Sequence, residues 1–270
     1  MQLLHRAEHY PIPWFQLLLT LLGSCLLLLV IAPLLGLVFT SSFSELRGAA
    51  LDKEVIGSIW ITFLAALAAT AACTLAGVPL AYLLARKDFR GKTVVLAIID
   101  LPIIIPHSAA GIALLTVIGR QSLLGSIVEG GLRDTVAGIS VAMAFVSLPF
   151  LVNAAREGFA AVPEKYEQVA RTLGATPLRV FLTVSLPLAR RAILSGVVLM
   201  WARGISEFGA VMIIAYHPMT TPVLVLQRFN DYGLSQARSI AVLLIFICLI
   251  VIAAMRLLAR GKRKGRRQDR

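Results

Sequence analysis

Charge is what this sequence has least of. Asp, Glu, Lys and Arg make up only 15% of its 270 residues, against roughly a quarter in a soluble domain. Acidic residues are the scarcest, 14 against 26 Lys and Arg, so the net charge is +12. Cysteine is rare too: Cys25, Cys73 and Cys248 each lie in an apolar run and no CxxC pair exists. That pattern offers neither a zinc site nor a redox motif, and buried free thiols are expected. Histidine numbers four, and His5 and His9 precede the first apolar run. A membrane-embedded enzyme needs His, Asp or Glu clustered within its spans, and no such constellation is present. A phosphate-binding loop is missing as well. Gly91-Lys92-Thr93 looks like the end of one, but the motif needs a glycine five residues before Gly91, where Arg86 stands. The chain is therefore not expected to bind ATP, and any ATP-driven step must use a partner's nucleotide site.

Hydrophobicity is what the sequence has in excess: 58% of residues are hydrophobic and the mean hydropathy is +0.84. This excludes a soluble enzyme, a disordered chain and a nucleic-acid-binding module, and turns the basic excess into a membrane signal. Six apolar runs are each wide enough for the roughly 20 helical residues that cross a bilayer. They cover about 14–40, 58–85, 94–119, 136–155, 192–216 and 239–259. The expected fold class is an all-α membrane protein of six transmembrane helices, one domain over 1–270. The first run is too long for a typical leader h-region and is read as a span. Only the last is almost uninterrupted; the others carry Gly, Pro, Ser and a few charges, as helices lining a protein interior do.

Positive charge sets the orientation. The segment 86–93 holds four basic residues and one acidic, and 156–191 holds six basic and three acidic. By contrast, 41–57 holds three acidic and two basic residues, 120–135 is balanced, and 217–238 has a net charge of +1. The end of the chain is strongly basic, running Arg260, Lys262, Arg263, Lys264, Arg266, Arg267. Basic and near-neutral segments alternate, which puts both termini in the cytoplasm of a multi-pass cell-membrane protein.

The segment 162–187, VPEKYEQVARTLGATPLRVFLTVSLP, lies on the cytoplasmic side. It reads as two short helices with a turn between them. Pro163 suits a first helical position and Glu164 complements the helix N-terminus. Tyr166, Val169, Ala170 and Leu173 fall on one apolar face. Gly174 suits a left-handed helix end, and Thr176 caps a second helix starting at Pro177. That second helix has its own apolar face in Leu178, Phe181 and Leu182. An apolar stripe here packs on its own membrane domain, on the lipid surface or on a partner. An aspartate at 174 is expected to clash between the two helices.

The same segment resembles the cytoplasmic signature of permease subunits of ABC importers. That signature reads Glu-Ala-Ala, three residues, Gly, nine residues, Ile, any residue, Leu-Pro. Here Gln168, Val169 and Ala170 open it, Gly174 follows at the right spacing, and Val184, Leu186 and Pro187 close it. The departures are Gln168 for Glu, Val169 for Ala and Val184 for Ile, with Glu167 one place before the usual acid. The resemblance implies a type I ABC importer permease architecture. It implies that this segment is a coupling loop docking on a separate ATPase, which uses the ATP and Mg. It also implies two ATP-binding subunits, a second permease copy, most simply an identical one, and an extracytoplasmic binding protein. The chain itself would be no enzyme and would hold neither metal nor cofactor.

Charges within spans cost about 2.5–3.5 kcal/mol each at the helix centre, so they are paired or functional. Arg203 and Glu207 lie four apart on one helical face of the fifth run and can pair, either structurally or as a lining that steers an anion. Asp100 sits inside the third run and is expected to be partnered or interfacial. Pro102 and Pro106 break helical hydrogen bonding there, which makes them, with His107 and Ser108, candidates for a pore lining or for a plain kink. The candidate translocation path is Pro106, Ser108, Arg203 and Glu207. The stretch WARGISEFGAVMIIAYHPMTTPVLVLQRFNDYGLSQARSIAVLL also resembles permeases for tungstate and molybdate. Arg203, Glu207, Phe208 and Gly209 are shared with sulfate permeases too, while Ala215-Tyr216-His217-Pro218, Thr221-Pro222 and Arg228-Phe229-Asn230 point to the narrower group. The expected function is import of a tetrahedral oxyanion, tungstate or molybdate. Alternatives are a sulfate or other small-solute ABC permease, and an ATP-independent channel or carrier. The outward segment around Thr220 and Thr221 is expected either to meet the binding protein or to be a plain turn.

Overall fold

A computed structural model describes residues 14–122, 125 and 130–260. The basic end beyond residue 260, His5, His9 and Glu129 fall outside these residues. The chain folds as helices α1 (Trp14–Phe39), α2 (Phe43–Leu51), α3 (Lys53–Arg86), α4 (Lys92–Ile104), α5 (His107–Ile118) and α6 (Val136–Ala160). These are followed by α7 (Lys165–Thr172), α8 (Pro177–Ile205), α9 (Gly209–Ile214), α10 (Thr221–Tyr232) and α11 (Leu234–Arg260). Five helices, α1, α3, α6, α8 and α11, are long and apolar enough to cross a bilayer, and α4 with α5 makes a sixth span if the bent pair is one.

The centre is built from α3, α6 and α8 packed together. Small side chains bring these backbones close, as in membrane bundles generally, where packing contact replaces the hydrophobic drive between helices. Ala65, Ala66, Ala69 and Ala142 are buried along this seam, and a Cβ on Gly204 of α8 would touch Ala66 at 3.4 Å. Larger side chains fill the two ends. Met143, Trp201, Ile214 and Leu224 pack in one cluster, and Leu84, Leu151, Phe159 and Met200 in the other. Hydroxyls inside α3 stay satisfied within the helix: Thr62 donates to the Ser58 carbonyl and Thr70 to the Ala66 carbonyl, each at 2.7 Å. No residue of α1 is buried.

Two of the expected spans differ in detail. The third run is not a straight crossing: α4 and α5 meet at 116° across Ile105 and Pro106. Pro106 has no N–H to continue α4 and serves as the N-cap of α5. The fifth run starts earlier and breaks sooner than its apolarity suggests. Helix α8 starts at Pro177 and includes a π-helical turn at Phe181–Ser185, so the second short helix of the 162–187 segment is the foot of a span. It ends at Ile205, and α9 resumes at Gly209. Arg203 is thus in the last turn of α8 and Glu207 in the break itself, not on one helical face. Beyond it, α5 and α9 end together: the Leu132 N–H donates to the Ile118 carbonyl at 2.9 Å and the Asp134 N–H to the Ile214 carbonyl at 3.2 Å.

The 217–238 segment is largely the helix α10. Thr220 and Thr221 are fully buried at its start, with the Thr221 N–H donating to the Thr62 hydroxyl at 2.8 Å. They cannot be the surface that meets a binding protein. Gly91 is the N-cap of α4, a helix start and nothing like a phosphate loop. Asp100 does have a partner, the Asn153 side-chain amide donating to it at 2.6 Å.

Candidate functional site

Two places concentrate polar chemistry. The first is α7 and its surroundings. The helix starts at Lys165, later than Pro163 would allow, and ends in a Schellman turn. The Gly174 N–H donates to the Arg171 carbonyl at 2.9 Å and the Ala175 N–H to the Ala170 carbonyl at 3.1 Å. Gly174 has φ +84°, the left-handed conformation that glycine alone adopts freely. A Cβ there would have nothing within 4 Å, so an aspartate at 174 would not clash; the cost is in the backbone. Thr176 then caps α8, its hydroxyl accepting from the Arg179 N–H at 3.4 Å.

The two faces of α7 do different things. Tyr166, Val169 and Leu173 point away from the chain, and Leu173 is 83% exposed. The inward face carries Glu167, only 3% exposed. Its carboxylate accepts from Arg86 Nε at 2.8 Å, Ser185 Oγ at 2.8 Å and Tyr82 Oη at 3.0 Å. Arg86 also donates to the Val162 carbonyl at 2.9 Å. Burial works against ionisation of Glu167, and the hydrogen bonds from Arg86, Ser185 and Tyr82 together outweigh it, holding the carboxyl below the usual carboxylate range. One carboxylate therefore joins α7 to the end of α3 and to the π-helical turn of α8. Ser185, the last residue of that turn, is the one that reaches Glu167.

The six residues expected to couple to an ATPase separate accordingly. Gln168, Val169 and Gly174 are exposed on α7 and its turn, and Ala170 is half-buried. Leu186 and Pro187 belong to α8, with Leu186 packed against the cluster around Phe159. Glu167, Arg86, Tyr82 and Ser185 are the residues that sequence reading missed as a unit. The available signal was Glu167 lying opposite the Tyr166–Val169–Leu173 stripe.

The second place is the paired break between α4 and α5 and between α8 and α9. Glu207 is fully buried there. Its carboxylate meets Arg203 Nη2 at 3.0 Å and His107 Nδ1 at 2.8 Å, and it accepts from the Ala210 N–H at 3.0 Å. Arg203 Nη2 also lies 3.0 Å from His107 Nε2, and its Nη1 lies 3.3 Å from Ser206 Oγ. Of the candidate path residues, Arg203 and Glu207 are brought together. Pro106 and Ser108 stand beside them through His107, which completes the cluster. The approach is close: a Cβ on Gly209 would lie 2.8 Å from the His107 Cβ, and one on Gly111 would lie 2.8 Å from the Ile213 Cβ.

Comparison with known proteins fits this architecture. Residues 77–264 match the family described as binding-protein-dependent transport system inner membrane component. A molybdate/tungstate transport system permease protein of Pyrococcus abyssi is 47% identical over 247 residues, covering 90% of this chain and 95% of the relative. The protein of the same description from Methanocaldococcus jannaschii is 43% identical over 216 residues, covering 80% and 86%. A sulfate transport system permease protein of Synechocystis is more distant, 32% identical over 267 residues, covering 95% and 92%. Among solved structures, a chain of a bacterial ABC transporter involved in import of the acidic polysaccharide alginate superposes with TM-score 0.70 at 15% identity, covering 93% of this chain and 96% of that one. The inward-facing methionine ABC transporter gives TM-score 0.64 at 16% identity, covering 76% and 94%. The fold is that of ABC importer permeases. With a family match over well more than half its length, on a bundle of apolar spans, the chain belongs to the inner membrane components of binding-protein-dependent transport systems.

Proposed function

We propose that this chain is the permease subunit of an ATP-driven oxyanion importer for tungstate and molybdate, coupled to a separate ATPase through the 162–187 segment. Likeness along nearly the whole chain to permeases named for those two anions supports the substrate. The coupling reading is carried by one observation: α7 turns an apolar face away from its own chain while a buried carboxylate fixes the opposite face to α3 and α8. A surface of that kind suits a protein groove. Gln168, Val169, Ala170 and Gly174 would meet the ATPase, and Leu186 and Pro187 would pass its motion into α8. Pro106, Ser108, Arg203 and Glu207 would flank the translocation path. The assembly would comprise two ATPase subunits, which use ATP and Mg, a second copy of this chain and an extracytoplasmic oxyanion-binding protein. Both termini would face the cytoplasm, following the basic segments.

The test is uptake of labelled tungstate into proteoliposomes holding this chain, its ATPase and its binding protein. ATP-dependent uptake, competed by molybdate and weakly by sulfate, is expected. Uptake that ignores ATP would refute the importer reading. Equal competition by sulfate would refute the narrower substrate.

A further inference from the structure

The cluster at the two helix breaks is set well back from the end that α5 and α9 share. Helices α5 and α9 end together at the 130–135 loop. Counting back at 1.5 Å per residue puts Glu207 roughly 10 Å and His107 roughly 16 Å along the chain from that end, where a hydrocarbon core is about 30 Å thick. Lipid cannot solvate a guanidinium at that depth. Yet the Arg203 side chain is 25% exposed and that of His107 35% exposed, and Ser108 and Ser206 are exposed beside them. This face of the chain must border water or polar groups.

The chemistry of the face is one-sided. Glu207, the one carboxylate of the cluster, is hidden beneath it, with both oxygens taken by Ala210, His107 and Arg203. Arg203 Nη2 stands 3.0 Å from both Nδ1 and Nε2 of His107, against the imidazole ring rather than on one nitrogen, while Nδ1 meets Glu207 at 2.8 Å. Glu207 and His107 thus fix the guanidinium from one side. Of its five N–H groups, those not engaged by Glu207, His107 and Ser206 have no protein acceptor among the described residues. The first amides of α5, at His107 and Ser108, start a 12-residue helix at the same place and add partial positive charge. What is presented is a set of donors.

We infer that Arg203 is an oxyanion station in the middle of the translocation path, held by Glu207 and His107 as positioning residues and supported by Ser108 and the start of α5. The ligand class is a tetrahedral dianion, an assignment that rests on the oxyanion reading above. The buried Glu207 charge tempers the attraction, which suits a path: a permeating ion must bind well enough to enter and weakly enough to leave.

The test uses the complete transporter in proteoliposomes with saturating binding protein and labelled tungstate. Arg203→Gln should lower uptake about tenfold or more, the worth of one charge-assisted hydrogen bond. Arg203→Lys should recover part of the uptake. Ser108→Ala leaves the Arg203–Glu207 pair intact and should lower uptake severalfold without changing assembly. It decides the matter if Arg203→Gln fails to assemble. Wild-type uptake in Arg203→Gln, or in Ser108→Ala when Arg203→Gln does not assemble, would overturn the station. So would a loss of dimer in both Arg203 variants, which would make the face a contact between permease copies. Absence of tungstate and molybdate uptake in the wild type would instead overturn the substrate reading, so the two failures are distinct.

Discussion

Replacing Glu167 tests how the segment outside the spans is held. In Glu167→Ala the carboxylate disappears from three hydrogen bonds, and Arg86, whose side chain is 8% exposed, keeps only the Val162 carbonyl. Removing one partner of a buried ion pair costs about 3–5 kcal/mol, because the remaining charge stays buried and unpaired. Glu167→Gln keeps the shape and two of the hydrogen bonds but loses the charge. It should cost about 1.5–3 kcal/mol, the worth of one hydrogen bond to a charged group. The loss falls on α7, which has only eight residues and an exposed outer face, so the helix should loosen while the α3–α6–α8 bundle persists. Hydrogen exchange of the α7 amides should rise in the order wild type, Gln, Ala, with little change in α6. In proteoliposomes the tungstate moved per ATP hydrolysed should fall in the same order. Unchanged exchange in α7 and an unchanged ratio for Glu167→Ala would refute the idea that this carboxylate ties the helix to the spans.

Four further outcomes follow from the geometry. Glu167 titrates below the usual carboxylate range, so its contribution is present above the unfolded value and is lost only as pH falls through the depressed folded one. Protection of the α7 amides should therefore be flat from about pH 8 to about pH 5 and drop only in stronger acid, as hydrogen exchange corrected for intrinsic rate will show. Gly174→Ala should destabilise the α7–α8 turn by about 1–2 kcal/mol through left-handed backbone strain, and Gly174→Asn by less, read from the same amides. Gly111→Ala puts a methyl 2.8 Å from the Ile213 Cβ and 2.9 Å from the Ala210 carbonyl. It should cost about 1–3 kcal/mol and lower the thermal midpoint of the purified protein. Arg228→Ala removes pairs to Asp52 and Glu54, both partly exposed, and should cost about 1 kcal/mol or less, with the difference shrinking at high salt.

Much of this architecture is legible in residue order, and the gaps have physical causes. The Leu-rich run from residue 14 becomes α1 almost end to end, because a long charge-free apolar run needs no partner to be recognised. Pro102 and Pro106 announced trouble in the third run, since proline removes a backbone donor. The break after Ile205 gave no such warning: Ser206, Glu207 and Phe208 are all residues a helix can hold. Only the bonds from Ala210, His107 and Arg203 to Glu207 make leaving the helix favourable there. Arg203 and Glu207 were rightly expected to pair, but through a bend that one-dimensional spacing cannot show. Thr220 and Thr221 look like outward turn residues, and it is Thr62, far away in sequence, that buries them. At the 162–187 segment the outward stripe was readable from periodicity. That Glu167 lies opposite the stripe was readable too, but its partners were not, since Tyr82 and Arg86 reach it from α3, 85 and 81 residues earlier.

Helix α8 runs without interruption from Pro177, beside α7, to Ile205, beside the charge cluster. At 1.5 Å per residue, Pro177 and Arg203 are roughly 39 Å apart along one shaft. Pivoting such a shaft by about 10° at its Pro177 end sweeps Arg203 sideways by roughly 7 Å, more than the length of a guanidinium's hydrogen-bonding reach. The leverage is geometric. A push on the foot too small to disturb its own packing is long enough at the other end to carry a charged side chain from one set of neighbours to the next.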